Sequence, residues 1–366
     1  MTAENTDPRI VSDPVDDLIT VIPAGGVGSR LWPLSQPHRP KFLLDLLGTG
    51  ATLIQDTVAR VSPLSERVMI VTGERHAEAV GAQVPGVPSA NIVTEPSPRD
   101  SMAAIALAAA LIEERWGPQV MASFAADHLI PDGASFRATV REAARVARDG
   151  KVVVIGIAPT EPSTAFGYIE MGGPLSGEAR EVAAFTEKPD AETAAGMLAR
   201  GGYAWNAGMF VMRTDVLLAH LDRLQPTLAA GVREIAAAWD GPARAEVLAR
   251  VWPTLTKIAI DHAIAEPVAA EGGVAVVPGV FEWHDVGDFD SLAELSGAGE
   301  APVVIGRDLP VATVGARAPL VVGGSKPVVV VGVDDAVVVE SDEAILVTVR
   351  SAAQRVKDAA AALSES

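Results

Sequence analysis

From residue 23 the chain reads Pro-Ala-Gly-Gly-Val-Gly-Ser-Arg, and Lys41 follows Arg30 at a Pro40-Lys41 corner. The glycines stand directly after an apolar run, LITVI, where main-chain N–H groups can curl around an anion that any Cβ would push away. Gly25, Gly26 and Gly28, flanked by Ala24 and Ser29, offer a ring of amides, and Arg30 and Lys41 add fixed cations. Together they read as a cradle for a polyphosphate. The same glycines would serve a plain tight turn from strand to helix, with the cations in solvent. The LWPL segment and the Pro40-Lys41 corner weigh against that alternative. No P-loop string GxxxxGK[ST] follows Gly25. A dinucleotide fold would want GxGxxG with an acidic residue about twenty positions on, and Asp45 stands in the wrong context for it.

Two carboxylates have matching surroundings. Asp127 ends VMASFAADH, and Asp285 sits in FEWHDVGDF after an extended stretch over 279–284. A carboxylate where a buried strand runs out into a cleft is a natural Mg²⁺ ligand, because magnesium takes few protein oxygens and shares the rest with phosphate and water. Each could instead cap the next turn. His128 and His284 flank the pair, but no histidine-rich ligand spacing accompanies them, so both read as spacers or packing residues. Phe185-Thr186-Glu187-Lys188-Pro189 brings a third cation, Lys188, and a carboxylate, Glu187, able to accept hydrogen bonds from vicinal sugar hydroxyls. An EKP string is common on surfaces. Here it ends a strand-like run ahead of Trp205-Asn206-Ala207-Gly208. Asn206 donates and accepts at once, while Gly208 and Gly167 let backbone come close to a ligand.

Alternating elements must hold these residues. The runs at 18–22, 67–72, 91–95, 120–125 and 151–158 are short, β-branched and almost wholly apolar, as strands buried on both faces of a parallel sheet are. Between them, 52–61, 75–80, 101–116 and 135–147 carry helical spacing, with Ser101 and Ser135 placed as N-caps. The alternation predicts a doubly wound, mainly parallel α/β sheet with helices on both faces and ligands at the carboxyl ends of the strands. From about 160 to 295 the pattern loosens into extended pieces and helices that wall off one side of the cleft. Residues 298–366 are short β segments split by Gly and Asp turns and ending in a helix, a small domain resembling a fragment of β-helix and read as structural. The expected organisation is a flexible tail over 1–16, a catalytic domain over 17–297 and this β domain over 298–366.

Composition narrows the function. At 366 residues the chain can bury roughly three quarters of its unfolded surface, enough for one large and one small domain. Its 29 basic against 47 acidic residues leave a net charge of −18, which argues against nucleic-acid binding and makes the local cationic cluster more telling. Cysteine is absent, which suits a reducing cytoplasm. No apolar stretch has the length of a membrane span, and no signal core opens the sequence.

The string GGVGSRLWPL…PK resembles the signature GGxGxRLxPL…PK of the sugar-nucleotide pyrophosphorylases, and Trp32 after Leu31 is similar to their mannose-1-phosphate guanylyltransferase branch (GDP-mannose pyrophosphorylases). FTEKP resembles FVEKP, AADH resembles PADH, and WHDVGDF resembles WxDVGxW with Phe289 for the second Trp. Where the family carries Arg-Asn-Thr-Ala-Pro near the nucleobase, this chain has Arg99-Asp100-Ser101-Met102-Ala103. The resemblance spans roughly 17–365. It implies a Rossmann-like, GT-A-like nucleotidyltransferase fold and the reaction of GTP with α-D-mannose 1-phosphate to give GDP-mannose and pyrophosphate. It further implies the glycine-turn amides and Arg30 on the triphosphate, Lys41 near the reacting α-phosphate, Arg99 toward the base, Lys188 on the sugar phosphate, and Asp127 with Asp285 on Mg²⁺. A pyrophosphorylase for another pair, such as glucose 1-phosphate with UTP or dTTP, stays open. So does a catalytically silent GDP-mannose-binding homologue, which would be expected to lose these cations and carboxylates. The chain leaves no room for a phosphomannose isomerase domain, so a single activity is expected, in a homodimer or higher homo-oligomer.

Overall fold

The computed structural model describes residues 14–297, 299–306 and 309–364. Residues 1–13 of the expected tail lie outside the described residues; Val15 donates its N–H to the Leu64 carbonyl at 2.8 Å. The apolar runs form β1 (Leu18–Ala24), β2 (Val68–Gly73), β3 (Ile92–Glu95) and β4 (Val120–Ser123), which pair in parallel in the order β3-β2-β1-β4. A two-residue strand, β5 (His128–Leu129), follows, then β6 (Val152–Ile157), β7 (Gly167–Pro174), β8 (Arg180–Thr186), β9 (Tyr203–Arg213), β10 (Val274–Gly279) and a second two-residue strand, β11 (His284–Asp285). The nine-stranded sheet runs β3-β2-β1-β4-β9-β6-β10-β8-β7.

The parallel character holds for β1–β4 and for β6 against β10, but β9 enters antiparallel to both β4 and β6. The cause is the connection. Between β6 and β9 the chain makes an antiparallel β7–β8 excursion instead of a single crossover helix, so the strand returns in the opposite sense. The stretch expected to be extended over 279–284 is a strand only up to Gly279, and β11 is the short piece that carries Asp285.

Helices cover both faces. On one, Asp100–Trp116 is buried from Met102 to Ile112 without a break, because it is packed between the sheet and the helices Thr214–Leu224 and Pro226–Trp239. Its many alanines suit this, since small side chains let neighbours approach on all sides. On the other face lie Leu53–Val61, Ala77–Gln83 and Gly133–Ala147. Two caps differ from expectation. Asp132, not Ser135, caps Gly133–Ala147, accepting from the N–H groups of Ala134 and Ser135. The other long helix starts one residue earlier, at Asp100, and Ser101 Oγ instead accepts the Ile260 N–H at 2.9 Å.

The C-terminal segments β12 (Val303–Ile305), β13 (Val311–Val314), β14 (Leu320–Gly323), β15 (Val328–Val331) and β16 (Ala336–Glu340) wind as a coil, and β17 (Ile345–Val349) closes it by pairing antiparallel with β16. Val303 pairs with Leu320 and Leu320 with Val337, a repeat of 17 residues, and Val311 pairs with Val328 at the same spacing. The inward residues Ile305, Leu320, Val322 and Val337 share one core with Leu31, Leu44, Leu53, Val286 and Phe289. The coil therefore packs against the segments that follow the glycine turn and Asp285.

At the end of β3, Glu95 is 8% exposed, and one of its carboxylate oxygens has no hydrogen-bond partner. Burial pushes its pKa up to about 7, from 4.5 for the free side chain. The folded state thus keeps a proton that the unfolded chain has released, and this contribution to stability falls as pH rises from about 4.5 to about 7, by about 3 kcal/mol in all. Glu95→Gln should remove that dependence and be the more stable form at pH 8. Urea midpoints of parent and variant at pH 4.5 and 8 check this; a difference between them that stays constant with pH would refute it.

Candidate functional site

The site forms where two distant stretches of chain are forced together. Beyond β4, the Phe124 N–H binds the Val21 carbonyl at 2.9 Å and the Ala126 N–H binds the Pro23 carbonyl at 3.3 Å, so the chain stays beside the end of β1. β5 then pairs antiparallel with β11, with Asp285 opposite His128. This small ladder brings Asp127 and Asp285 side by side.

Lys41 enters between them, its Nζ 2.9 Å from Asp127 Oδ2 and 3.0 Å from Asp285 Oδ1. The lysine side chain is 5% exposed and the aspartates 31% and 33%, so a sealed cation supports two carboxylates that look into the cleft. Burial alone would lower the pKa of the Lys41 ammonium, but Asp127 and Asp285 outweigh it and hold that pKa above its ordinary value. Burial likewise pushes Asp285 up, yet Lys41 and then His128 pull it further down, to below the usual carboxylate range. With two carboxylates on one ammonium, the cluster keeps an excess negative charge toward the cleft.

The glycine turn sits against this cluster. Gly26 and Gly28 have φ of 79° and 75°, in the left-handed region that favours glycine. A Cβ on Gly28 would stand 2.7 Å from the Lys41 Cβ, so this glycine is required by close approach as well as by conformation. Ser35 Oγ donates to the Gly28 carbonyl at 2.5 Å, and the Lys41 N–H binds the Val27 carbonyl at 3.1 Å, which ties the turn to the lysine it serves. Gly25 and Gly26 are exposed, as is Ser29, while Ala24 is buried with its carbonyl accepting from Thr72 Oγ1 at 2.8 Å. Arg30 Nη1 donates to Gln354 Oε1 at 3.0 Å. Arg99, expected toward the base, has Nη2 and Nη1 donating to the Pro253 and Leu255 carbonyls at 2.8 and 3.3 Å.

A cavity of about 180 Å³ opens on the other side of Asp285 and is lined by His128, Gly167, Glu187, Lys188, Asn206, Gly208, Asp261 and Trp283. Gly167 lies opposite Asn206 in the β7–β9 ladder. Its missing side chain is filled by the protein itself, since a Cβ there would stand 2.5 Å from Glu187 Oε2. That oxygen is buried without a partner, while Oε1 holds the Lys188 ammonium. Asn206 is fully oriented. Its Nδ2 donates to Asp261 Oδ1 at 2.6 Å, and its Oδ1 accepts the Gly208 N–H at 3.1 Å. His128 packs edge-on against Trp283, with ring centres 5.3 Å apart, and burial lowers its pKa despite the nearby aspartates. His284 pairs with Glu282 at 3.0 Å.

Sequence reasoning missed two of these groups. Asp261 is half-buried in the cavity wall, where desolvation and then Glu187 raise its pKa. The signal was a lone acid in the apolar run IAIDHAIA, which periodicity alone reads as helix. Arg60 lies buried beneath β5, donating to the His128 carbonyl at 3.3 Å and to Thr57 Oγ1 at 3.0 Å, with burial bringing its pKa down to about 10. An arginine in an amphipathic helix gives no hint of that depth.

Known proteins resemble the chain over most of its length. The xanthan biosynthesis protein XanB of Xanthomonas campestris is 36% identical over 289 residues, covering 77% of this chain and 60% of the relative. A mannose-1-phosphate guanylyltransferase of Escherichia coli K12 is 38% identical over 290 residues, covering 76% and 60%. The chain thus spans about 60% of the length of these curated relatives. A solved structure from Thermus thermophilus, described as a mannose-1-phosphate geranyltransferase, superposes with a TM-score of 0.84 at 29% identity, over 95% of this chain and 99% of that one. The sequence pattern of the nucleotidyl transferase family matches residues 19–300. With that pattern lying over the glycine turn, the paired aspartates and the cavity between them, the chain belongs to the nucleotidyl transferase family.

Proposed function

We propose that this chain makes GDP-mannose and pyrophosphate from GTP and α-D-mannose 1-phosphate. The observation that carries the reading is the double position of Asp285, which pairs with Lys41 beside the glycine turn and also lines the cavity holding Glu187, Lys188 and Asn206. One carboxylate at the seam of a phosphate cradle and a polar, sugar-sized cavity suits a reaction that joins a nucleotide to a sugar phosphate. The relatives named for mannose-1-phosphate guanylyltransfer support the choice of substrates.

A phosphate oxygen of mannose 1-phosphate attacks the α-phosphorus of GTP, forming the new P–O bond. The bond to the bridging oxygen of the β-phosphate breaks, and pyrophosphate leaves with that electron pair. The nucleophile is already ionised near neutral pH, because the second pKa of a phosphate monoester is about 6, so no general base is required. The obstacle is repulsion between two polyanions, and positioning with positive charge must overcome it. Glycine-turn amides and Arg30 serve the triphosphate, Lys41 the reacting centre and Lys188 the sugar phosphate. Glu187 and Asn206 bind sugar hydroxyls, Gly208 allows close approach, and Arg99 shapes the base end through its hold on the 253–255 loop.

Nucleotidyl transferases in general use a divalent metal. The donor set here fits Mg²⁺: two half-open carboxylates, Asp127 and Asp285, with no cluster of three or more His, Asp or Glu among the described residues to close a full protein cage. Bound by these aspartates, the ion would supply charge that offsets the negative phosphates of both substrates. A homo-oligomer joined through the exposed Val329, Val331, Ile345 and Val347 of the C-terminal coil belongs to the same reading, as does work in the cytoplasm. No helix among the described residues is long and apolar enough to cross a membrane.

Pyrophosphate release from each nucleoside triphosphate, with mannose or glucose 1-phosphate and with or without Mg²⁺, tests the reading. GTP with mannose 1-phosphate should be fastest, and a clear preference for UTP or dTTP with glucose 1-phosphate would replace it. Asp285→Ala leaves Lys41 paired with Asp127, so the fold should survive while turnover falls by about a hundredfold or more, ~3 kcal/mol of barrier. Near-normal Mg²⁺-dependent turnover in this variant would refute the metal assignment. Gly167→Ala should drive Glu187 out of place and raise KM for mannose 1-phosphate by about tenfold, leaving KM for GTP alone. Equal changes in both constants would show that Glu187 does not read the sugar.

A further inference from the structure

The C-terminal coil reaches the glycine turn through one side chain that neither composition nor motif singled out. Gln354 belongs to the short turn Arg350–Arg355, whose neighbours Ala353 and Val356 are buried in the core shared by the coil and the segments after the glycine turn. Arg350 clamps the same turn to the helix Phe289–Leu295, its Nε donating to Asp290 Oδ1 at 2.5 Å and its N–H to the Asp335 carbonyl at 3.0 Å. From this fixed base, Gln354 Oε1 accepts from Arg30 Nη1 at 3.0 Å while its Nε2 donates to Asp288 Oδ2. Asp288 is buried, and its other oxygen accepts from the N–H groups of Asp290 and Ser291 and from Ser291 Oγ. On its far side the Arg30 guanidinium lies over Gly287, where a Cβ would stand 3.4 Å from Nη2.

We propose that Gln354 is a positioning residue for Arg30, resting on the reading of the glycine turn as a phosphate cradle. Orientation carries the argument. The Asp288 carboxylate can only accept, so it fixes which end of the amide faces the arginine, and that end must be the oxygen. The amide also acts as a neutral spacer. A carboxylate in contact with Arg30 would cancel the charge that a phosphate needs, whereas an amide oxygen holds the guanidinium still and leaves its full positive charge available. Asp288 polarises the amide and strengthens the hold without touching the arginine. The C-terminal coil therefore completes the phosphate site rather than merely covering it.

Binding of inorganic pyrophosphate, followed by titration calorimetry with Mg²⁺ present, reads this position without depending on which base or sugar the enzyme takes. Gln354→Met keeps the bulk and loses the hydrogen bonds, and should weaken pyrophosphate by about threefold. Gln354→Glu places a carboxylate on Arg30 and should weaken it by about tenfold or more. Mannose 1-phosphate affinity of both variants should match the parent, even though Gln354→Glu lowers the melting temperature by setting a second carboxylate against Asp288. Unchanged pyrophosphate affinity in both variants would overturn the proposal, and so would equal weakening of both ligands with a fallen melting temperature. If the parent binds pyrophosphate and the variants lose it as stated but no GDP-mannose is made, the functional reading fails and the role of Gln354 stands. If the parent does not bind pyrophosphate, both fall.

Discussion

An ammonium group sealed from water is stable only with opposite charge in contact, and Lys41 has two carboxylates within 3.0 Å. One carboxylate would neutralise the lysine and leave an inert pair. Two leave the cluster negative toward the cleft while Lys41 stays charged, so the site can attract a cation and still keep a positive group at its base. Meeting that condition dictates much of the surrounding chain. Gly28 must lack a Cβ for the Lys41 stem to pass, β5 must pair with β11 for the aspartates to converge, and Arg60 must reach the His128 carbonyl from below to hold β5 in place.

The cavity beside Asp285 follows a different logic. There, one carboxylate oxygen, Glu187 Oε2, is buried without a hydrogen-bond partner, and Asp261 is held at a raised pKa by burial and by Glu187. Buried polar groups are normally paired, so an orphan beside a cavity is what the proposed reading needs for a ligand hydroxyl to complete the set. Asn206 differs, because Asp261 and the Gly208 N–H fix both ends of its amide before any ligand arrives. Such fixing lowers the ordering cost of binding. Gly167 contributes by absence, its missing Cβ being the space that Glu187 occupies.

Much of this was legible in the residues. The glycine turn, both aspartates and the Glu187-Lys188 pair announce themselves because each needs rare residue types at fixed places beside a strand. The parallel half of the sheet was legible for the same reason, as doubly buried strands read as unbroken apolar runs. Other features depend on partners remote in sequence. The antiparallel entry of β9 is set by the β7–β8 excursion and not by anything in WNAGMFVMR. The hold of Arg99 on the Pro253 and Leu255 carbonyls joins residues more than 150 positions apart. Asp261 and Arg60 carry charge inside patterns that periodicity assigns to ordinary helices, and only tertiary packing shows their depth.

The C-terminal coil is the clearest case of a role hidden by local regularity. Its 17-residue repeat and valine-rich strands describe a scaffold, and nothing in them indicates chemistry. A scaffold of stacked turns is nonetheless well suited to delivering one side chain with little positional error, because each turn is braced by the one before it. The last turn ends in β17, and the chain then folds back over the helix that begins just after Asp285. From that returning segment Gln354 meets the Arg30 guanidinium, which lies over Gly287. A long neutral amide is the side chain that can span from Asp288 to Arg30 without cancelling the charge at either end, so its presence at Gln354 follows from the electrostatics of the site and owes nothing to the pattern of the coil.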